Sequence, residues 1–421
     1  MNISVKPYLN TNNLSLAGNT LSLAFIKGID MVTQLIVLPR LISVLGIEQY
    51  GNIAFYIVVM QYIQSICDFG YNFNATQRIA SAKSQETINT VFTSVQLAKL
   101  VIMIIVLMAL FLFFIVKSVD SIFIVYGLSL FVVFQSFSID WFFLGSQNML
   151  IIAIYKLICR SFYVLYIYFI ISSESSYAEV VLLDCLIPVF MTTLSLITAL
   201  VFYKIRICKV QRDYVKDLFR ESWILYSAGL FITVYRNMNV LLLKLFATPY
   251  AVGIYAAVEK VIRACQAIIE PVTTALFPYT SRKYDLMDNA KEKVGFVLSL
   301  AKIYISVIVL SVFILFLLST IILSFVNITP SQGDFLFKIM LIAFAAGSLN
   351  YLLGYVGLAN MGHNNLFRKA VVYVGCISSV VTLFLIYVYD EIGASISVAL
   401  SETLLTILLF NQLNKLKKQQ A

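Results

Sequence analysis

Charged side chains are scarce in this sequence. Asp, Glu, Lys and Arg make up 12% of its 421 residues, against roughly 25% in an average soluble domain, and hydrophobic residues make up 61%. That balance excludes an ordinary soluble protein and indicates a polytopic, all-α membrane protein. The apolar runs reach the length of a membrane-spanning helix, which also excludes an outer-membrane barrel, because barrel strands alternate apolar and polar side chains.

Residues and motifs that carry enzyme chemistry are equally rare. The only histidine, His363, falls in a predicted turn beside Gly362. The sequence lacks a phosphate-binding G-x-x-x-x-G-K-[ST] loop, an H-E-x-x-H motif and a G-x-S-x-G elbow. The six cysteines all fall in predicted membrane helices or cytoplasmic loops, and none forms a C-x-x-C pair, so we expect no disulfides and no metal site. We therefore predict a protein without catalytic residues or cofactors.

What is present is a series of long apolar runs, which predict about twelve transmembrane helices. They lie near residues 19–45, 50–75, 89–116, 120–144, 149–171, 178–203, 222–246, 251–279, 294–326, 335–360, 366–389 and 393–412. The first run contains Lys27 and Asp30, which a cleaved signal peptide would not carry, so we expect it to stay as the first membrane helix.

The densest charge cluster lies near the middle of the chain, at residues 204–221. We interpret it as a cytoplasmic link between two membrane halves, 1–203 and 222–421. Val210, Tyr214 and Leu218 recur every four residues, so this link could form a helix on the membrane surface. An ordinary charged loop is the alternative.

The distribution of basic residues predicts the orientation. With both termini in the cytoplasm, the cytoplasmic segments hold eighteen Lys and Arg residues and the opposite side holds only Lys117. This asymmetry is typical of membrane proteins, and it explains the net charge of +9 without nucleic acid as a partner.

The two halves show a faint repeat. An alignment of Gly51 with Gly253 also pairs Ala54 with Ala256 and Gln64 with Gln266. Six helices per half would leave both halves in the same orientation, related by a pseudo-two-fold axis along the membrane normal, with a substrate site between them.

Charged residues inside the predicted helices are the candidate functional residues, because a charge that faces lipid costs at least about 2.5–3.5 kcal/mol. A cationic, anion-binding cavity is predicted from Lys27, Arg160, Arg236, Lys260, Arg263 and Lys302. Candidate ion-coupling carboxylates are Asp30, Asp140, Glu259, Glu270 and Glu402. The alternatives are structural pairing, such as Lys27 with Asp30, and snorkelling, as for Arg40 and Lys244. Snorkelling is the default that we take for Lys99, Lys156 and Lys338.

Four stretches resemble a known family. Residues 38–51 (LPRLISVLGIEQYG) resemble the helix 1–2 junction of polysaccharide-unit flippases, and residues 68–80 (DFGYNFNATQRIA) resemble the end of helix 2 in the O-antigen type. Residues 140–145 (DWFFLG) and 276–278 (LFP) are similar to that family's helix 4 end and helix 8 foot. The neutral residues 146–148 depart from the charged pair that the family often carries there.

This family belongs to the multidrug/oligosaccharidyl-lipid/polysaccharide exporter superfamily. The resemblance implies two six-helix bundles with a V-shaped central cavity, in a bacterial inner membrane. It implies that a polyprenyl-pyrophosphate-linked oligosaccharide moves across that membrane by alternating access driven by an ion gradient. Membrane lipids are implied partners, and a polysaccharide polymerase and a chain-length regulator are further candidates. A drug or metabolite exporter of the superfamily, or an integral-membrane polysaccharide polymerase, is the alternative.

Overall fold

The computed structural model describes residues 13–116, 121–287 and 289–419, nearly all of them helical and none of them in a β-strand. The elements are α1 (Asn13–Leu45), α2 (Ile47–Asp68), α3 (Tyr71–Ala80), α4 (Gln85–Val116), α5 (Ile122–Ser136), α6 (Asp140–Gly145), α7 (Met149–Phe169), α8 (Tyr177–Val201), α9 (Arg212–Phe246), α10 (Pro249–Asp285), α11 (Ala290–Phe325), α12 (Pro330–Asn350), a π-helical continuation (Tyr351–Ala359) and α13 (Asn364–Gln419). The predicted all-α fold class is confirmed.

Each predicted transmembrane segment coincides with a helical element, although two are interrupted. The second segment bends by 44° between α2 and α3. Gly70 lies at this bend with a φ of 75°, a left-handed conformation that glycine adopts at no steric cost. The fourth segment breaks between α5 and α6. Of the described helices, eight are long and apolar enough to cross a membrane, or nine if the bent pair forms one span, so the number of twelve crossings stays a prediction.

The long helix α13 contains a reversal of the chain. Asp390 has non-helical backbone angles (φ 46°, ψ −125°). The hydroxyls of Thr382 and Ser397 hydrogen-bond to each other across 15 positions, which an unbroken helix would separate by about 22 Å. We therefore call the arms before and after Asp390 α13a and α13b. They correspond to the last two predicted helices.

The predicted link at residues 204–221 is partly extended and partly helical. Residues 204–211 have no regular structure, and α9 begins at Arg212 and continues to Phe246. The prediction of one surface helix across the link is therefore wrong, because Tyr214 and Leu218 belong to α9 while Val210 precedes it. The backbone of the extended part bonds to side chains of α4 instead of forming helical hydrogen bonds.

Contacts between residues divide the chain into two compact units. The first contains the described residues up to Leu45 together with Tyr56–Val234, and the second contains Gly46–Phe55 and the described residues from Tyr235 onward. The start of α2 thus belongs to the second unit, and most of α9 belongs to the first. The division into 1–203 and 222–421, joined by the basic link at 204–221, was drawn from the central charge cluster, and it stays a prediction.

Each unit has its own apolar core. In the first unit α1 packs on α7, α5 packs on α8, and α3 packs on α6, with Trp141, Phe142 and Phe143 almost fully buried. In the second unit α12 packs on α10, α11 and α13, and Val297 and Leu409 lie in its buried cluster.

Two glycines allow α2 and α10 to approach closely within the second unit. A Cβ on Gly51 would lie 2.1 Å from the Pro249 carbonyl oxygen, and a Cβ on Gly253 would lie 2.1 Å from the Ile47 carbonyl oxygen. Ile47 and Pro249 are separated by the same offset as the two glycines, so the contact is reciprocal. The start of α10 is also fixed by its N-cap, since the Thr248 side chain accepts a hydrogen bond from the Ala251 N–H.

Gly51→Ala and Gly253→Ala should each destabilise the protein by about 1–3 kcal/mol, because the added methyl group meets rigid backbone and the helices must separate. The measurement is the thermal unfolding midpoint in detergent. Gly375→Ala is the matched control, since a Cβ there meets nothing within 4 Å and alanine is the better helix former. A midpoint for Gly51→Ala as high as that of the control would contradict the close crossing.

Candidate functional site

A small polar pocket lies inside the second unit, between α9, α10, α12 and both arms of α13. Its volume is about 80 Å³, well below the roughly 300–1,000 Å³ of pockets that enclose a drug-sized ligand. Four of the predicted site residues line it: Arg236, Glu259, Arg263 and Glu402. The pocket therefore has room for a small charged group and its hydration.

The guanidinium of Arg263 is held in place on α10. Its Nε and Nη2 donate to Oε1 of Glu259 over 3.1 Å and 2.7 Å, and Nη2 also donates to the Arg236 carbonyl oxygen over 2.9 Å. Glu259 lies one helical turn before Arg263, which places both side chains on one face of α10. This pairing neutralises Arg263 locally and links α10 to α9.

Glu402 on α13b has amide partners in place of a cation. The Asn350 side-chain amide donates to Glu402 Oε2 over 2.7 Å and to the Glu402 carbonyl oxygen over 3.0 Å. The Thr406 hydroxyl donates to the Asn350 side-chain oxygen over 2.8 Å, which fixes the orientation of that amide. Among the described residues, no cation lies within ion-pair distance of the Glu402 carboxylate.

Gly347 on α12 keeps this part of the pocket open. A Cβ at this position would lie 2.8 Å from Nε2 of Gln266 and 3.4 Å from Oε2 of Glu402. Gln266 lines the pocket and donates to the Ala343 carbonyl oxygen over 3.4 Å. A side chain at position 347 would therefore displace one of these two polar groups.

The charges of the pocket balance formally, with two guanidinium groups against two carboxylates. Arg236 is exposed, and its side chain forms no ion pair with another described residue. If Glu402 takes up a proton, the pocket gains a net positive charge and attracts an anion. The net charge of this site thus depends on one carboxylate.

The first unit contains a separate charge cluster on α1, α7 and α8. Asp30 pairs with Lys156 and with Arg160, whose Nε lies 3.1 Å from Asp30 Oδ1. Nη1 of Arg160 lies 3.2 Å from Asp184 Oδ1, and the Tyr163 hydroxyl donates to Asp184 Oδ2 over 3.0 Å. Two cations and two carboxylates therefore satisfy one another, as expected for charges within apolar helices.

This cluster gives charged partners to Asp30, Lys156 and Asp184. The structure pairs Asp30 with Lys156 and Arg160 on α7. Lys156 does not snorkel, because Asp30 is within reach of its ammonium group. Asp184, which the sequence analysis missed, is essential to the network. Its position inside an otherwise apolar run was the available signal.

Lys99 on α4 is also a correction, since it does not snorkel to a surface. It is fully buried, and its ammonium donates to the Ser138 carbonyl oxygen over 3.1 Å. Asp68 at the end of α2 lies 3.8 Å from it. The tertiary fold places a carboxylate and a free carbonyl beside the amine, which removes the need to reach water.

The remaining predicted residues lie elsewhere. Lys27 is exposed on α1 and is not without an interaction partner. The Lys260 ammonium lies 5.4 Å above the ring of Tyr50. Lys302 is exposed on α11, and Asp140 is exposed at the start of α6. The side chain of Glu270 lies outside the described residues. The structure thus does not gather the predicted cations into one site.

Helices of transmembrane length, with paired charged side chains between them, define a polytopic membrane protein. The chain belongs to the family described as "Polysaccharide biosynthesis protein", whose model matches residues 16–283.

Two bacterial proteins are similar over nearly their whole length, and each is named "Putative O-antigen transporter". The one from Escherichia coli (strain K12) is 24% identical, with 97% of this chain and 99% of the relative covered. The one from Shigella dysenteriae is 23% identical, with 92% and 98% covered.

Solved structures show the fold. An inward-facing multidrug resistance MATE family transporter of the MOP superfamily is 13% identical, with a TM-score of 0.72 and coverage of 95% of this chain and 100% of that chain. The lipid II flippase MurJ in an inward closed conformation is 12% identical, with a TM-score of 0.67 and coverage of 94% and 87%. At these identities the likeness establishes a MOP-type transporter fold.

Arg160→Gln should lower the thermal unfolding midpoint in detergent markedly, because Asp184 is left without a cation and Asp30 keeps only one. We expect a loss near the lower end of the about 3–5 kcal/mol typical of a broken buried pair, since the cluster is not fully enclosed. Lys302→Gln removes the same charge from an exposed position and should change stability by less than about 0.5 kcal/mol. Equal midpoints for the two variants would mean that the cluster contributes no stability.

Proposed function

We propose that this membrane transporter is a flippase for a polyprenyl-pyrophosphate-linked oligosaccharide, such as an O-antigen repeat unit. The observation that carries the proposal is the pocket with Arg236 and Arg263, which is lined in part by α12 and α13, two elements long and apolar enough to span a membrane. A pyrophosphate needs fixed cations in a site of low dielectric constant. The names of the two relatives support this cargo, and the chain shares its fold with a lipid II flippase.

The size of the pocket limits what it binds. About 80 Å³ admits a phosphate-sized group but not an oligosaccharide or a prenyl chain. We infer that the pocket binds part of the pyrophosphate, and that the prenyl tail stays in lipid. In this proposal transport proceeds by alternating access, in a bacterial inner membrane, with both termini in the cytoplasm. A polysaccharide polymerase and a chain-length regulator would then act on the flipped unit.

Arg236 is the better arginine to test, because its guanidinium has no carboxylate partner among the described residues, whereas Arg263→Gln would also leave Glu259 unpaired. Arg236→Gln should lower the flipping rate by about 10–100-fold, as expected for the loss of one charge-assisted hydrogen bond. Arg236→Lys keeps the charge but not the bidentate geometry and should retain an intermediate rate.

The measurement is leaflet-resolved accumulation of the lipid-linked unit in a deletion strain that carries each variant. Lys302→Gln is the matched control and should complement fully. Build-up of the unit on the cytoplasmic face with Arg236→Gln supports the proposal. Wild-type export by Arg236→Gln at equal protein levels would refute a role for this pocket, and normal processing of the unit in the deletion strain itself would refute the flippase.

We further propose that Glu402 is the carboxylate that couples transport to a proton gradient. Asp30 has two cationic partners and Glu259 has one, whereas Glu402 bonds to the neutral amide of Asn350. The charged groups that face it across the pocket are Arg236, Glu259 and Arg263. Proton uptake by Glu402 would leave the pocket with a net positive charge that attracts an anion, and proton release would favour the departure of that anion.

Glu402→Gln keeps an oxygen that can accept the Asn350 hydrogen bond but cannot release a proton. In proteoliposomes with an imposed pH gradient, we expect flipping by the wild type to follow the gradient and flipping by this variant to be insensitive to it. Glu86→Gln, at an exposed position in the first turn of α4, is the control and should respond like the wild type. An unchanged gradient dependence in Glu402→Gln would assign coupling to another group.

A further inference from the structure

The extended segment at residues 204–211, here called the basic segment, lies between the end of α8 at Val201 and the start of α9 at Arg212. α8 is itself long and apolar enough to span a membrane. A segment that directly follows the end of such a helix lies at the level of the lipid headgroups. Its side chains therefore contact the membrane surface.

Three side chains of α4 hold the backbone of this region in place. Gln85 donates to the Tyr203 carbonyl oxygen over 3.2 Å. Asn89 accepts from the Arg206 N–H over 3.1 Å, and Thr93 accepts from the Cys208 N–H over 3.2 Å. Gln85, Asn89 and Thr93 follow one another at four-residue intervals and thus share one face of α4. The basic segment is consequently ordered and runs along α4.

The side chains of the basic segment divide into two sets. Ile205 is 4% exposed and anchors the segment. Lys204, Arg206 and Lys209 are exposed, and none of them forms an ion pair with another described residue. The segment contains no carboxylate, whereas Asp213 and Asp217 offset the basic residues of the adjoining turns of α9. The basic segment therefore presents three cations without an ion-pair partner among the described residues, on a backbone that is held in place.

An exposed apolar residue lies among these cations. Ile207 is 82% exposed, which is unfavourable in water but suitable for insertion between lipid chains. A basic row interrupted by one isoleucine at headgroup level matches an anionic phospholipid, whose phosphate binds the cations and whose acyl region takes the apolar side chain.

We propose that the basic segment is a binding site for anionic phospholipid headgroups, formed by Lys204, Arg206 and Lys209 with Ile207 inserted beside them. The site is separate from the pocket of the second unit, and it does not depend on what the transporter carries. Its effect is to fix the end of α8 and the start of α9 at the membrane surface.

The chain has two tryptophans, and the fluorescence of one of them can report on bound lipid. Trp223 is 52% exposed, and Trp141 is 1% exposed. The Trp141 indole N–H has no hydrogen-bond partner, so Trp141→Phe removes the second fluorophore, breaks no side-chain hydrogen bond and keeps an aromatic ring at this buried position. The remaining Trp223 lies near the start of α9, close in sequence to the basic segment.

The Trp141→Phe protein is reconstituted in two preparations of phosphatidylcholine vesicles. In one, a tenth of the lipid is brominated phosphatidylglycerol, and in the other, a tenth of the lipid is brominated phosphatidylcholine. Quenching of Trp223 then gives the relative affinity for the two lipids. Each cation near an anionic surface contributes roughly fivefold to affinity, so the triple change Lys204→Gln, Arg206→Gln and Lys209→Gln should lower the preference for phosphatidylglycerol by up to about a hundredfold.

The matched control changes Lys415, Lys417 and Lys418 to Gln, which removes the same charge near the end of α13b and should keep the preference. With the basic segment unchanged, a high salt concentration should weaken the preference for phosphatidylglycerol, because salt screens the attraction between the cations and the lipid phosphates. An equal preference in both triple variants would overturn the proposal. So would competition by soluble pyrophosphate as strong as that of the lipid, because the basic segment would then be a site for the phosphates of the cargo.

Discussion

A charge that enters the apolar interior of this protein must find a partner or face water, and this requirement organises both units. In the first unit Asp30, Lys156, Arg160 and Asp184 satisfy one another completely. The buried Lys99 is satisfied by Asp68 and the Ser138 carbonyl. Such networks rigidify helices but leave little for a ligand to bind, because every charge is already used.

The second unit meets the same requirement only in part, and the difference is what suggests function. Arg263 is paired with Glu259, whereas Arg236 and Glu402 face the pocket without an ion-pair partner among the described residues. Charged groups without an ion-pair partner can take up a proton or an anion at low cost. In a cluster where every charge is paired, an existing ion pair must first be broken. The placement of Glu402 opposite two arginines therefore links two events, proton uptake and anion binding, through the charge of one small site.

The helices that carry these charges are positioned by contacts that have no charge. The reciprocal approach of Gly51 and Gly253 brings the backbones of α2 and α10 together, and α10 carries Glu259 and Arg263. The chain reversal at Asp390 brings α13b, with Glu402, back against α12 and its Asn350. Loss of either feature would move the pocket residues without changing any of them.

The sequence by itself determined the class of protein and most of its helices, because apolar run length, basic-residue asymmetry and the absence of catalytic motifs are local properties. It also singled out Arg236, Glu259, Arg263 and Glu402, since a charge in an apolar run is visible without a structure. It could not assign their partners: Asp30 binds Arg160 across 130 positions, and Asn350 binds Glu402 across 52. Only tertiary structure decided these pairs, because electrostatic pairing and desolvation depend on distances of a few ångströms between helices that are remote in the chain.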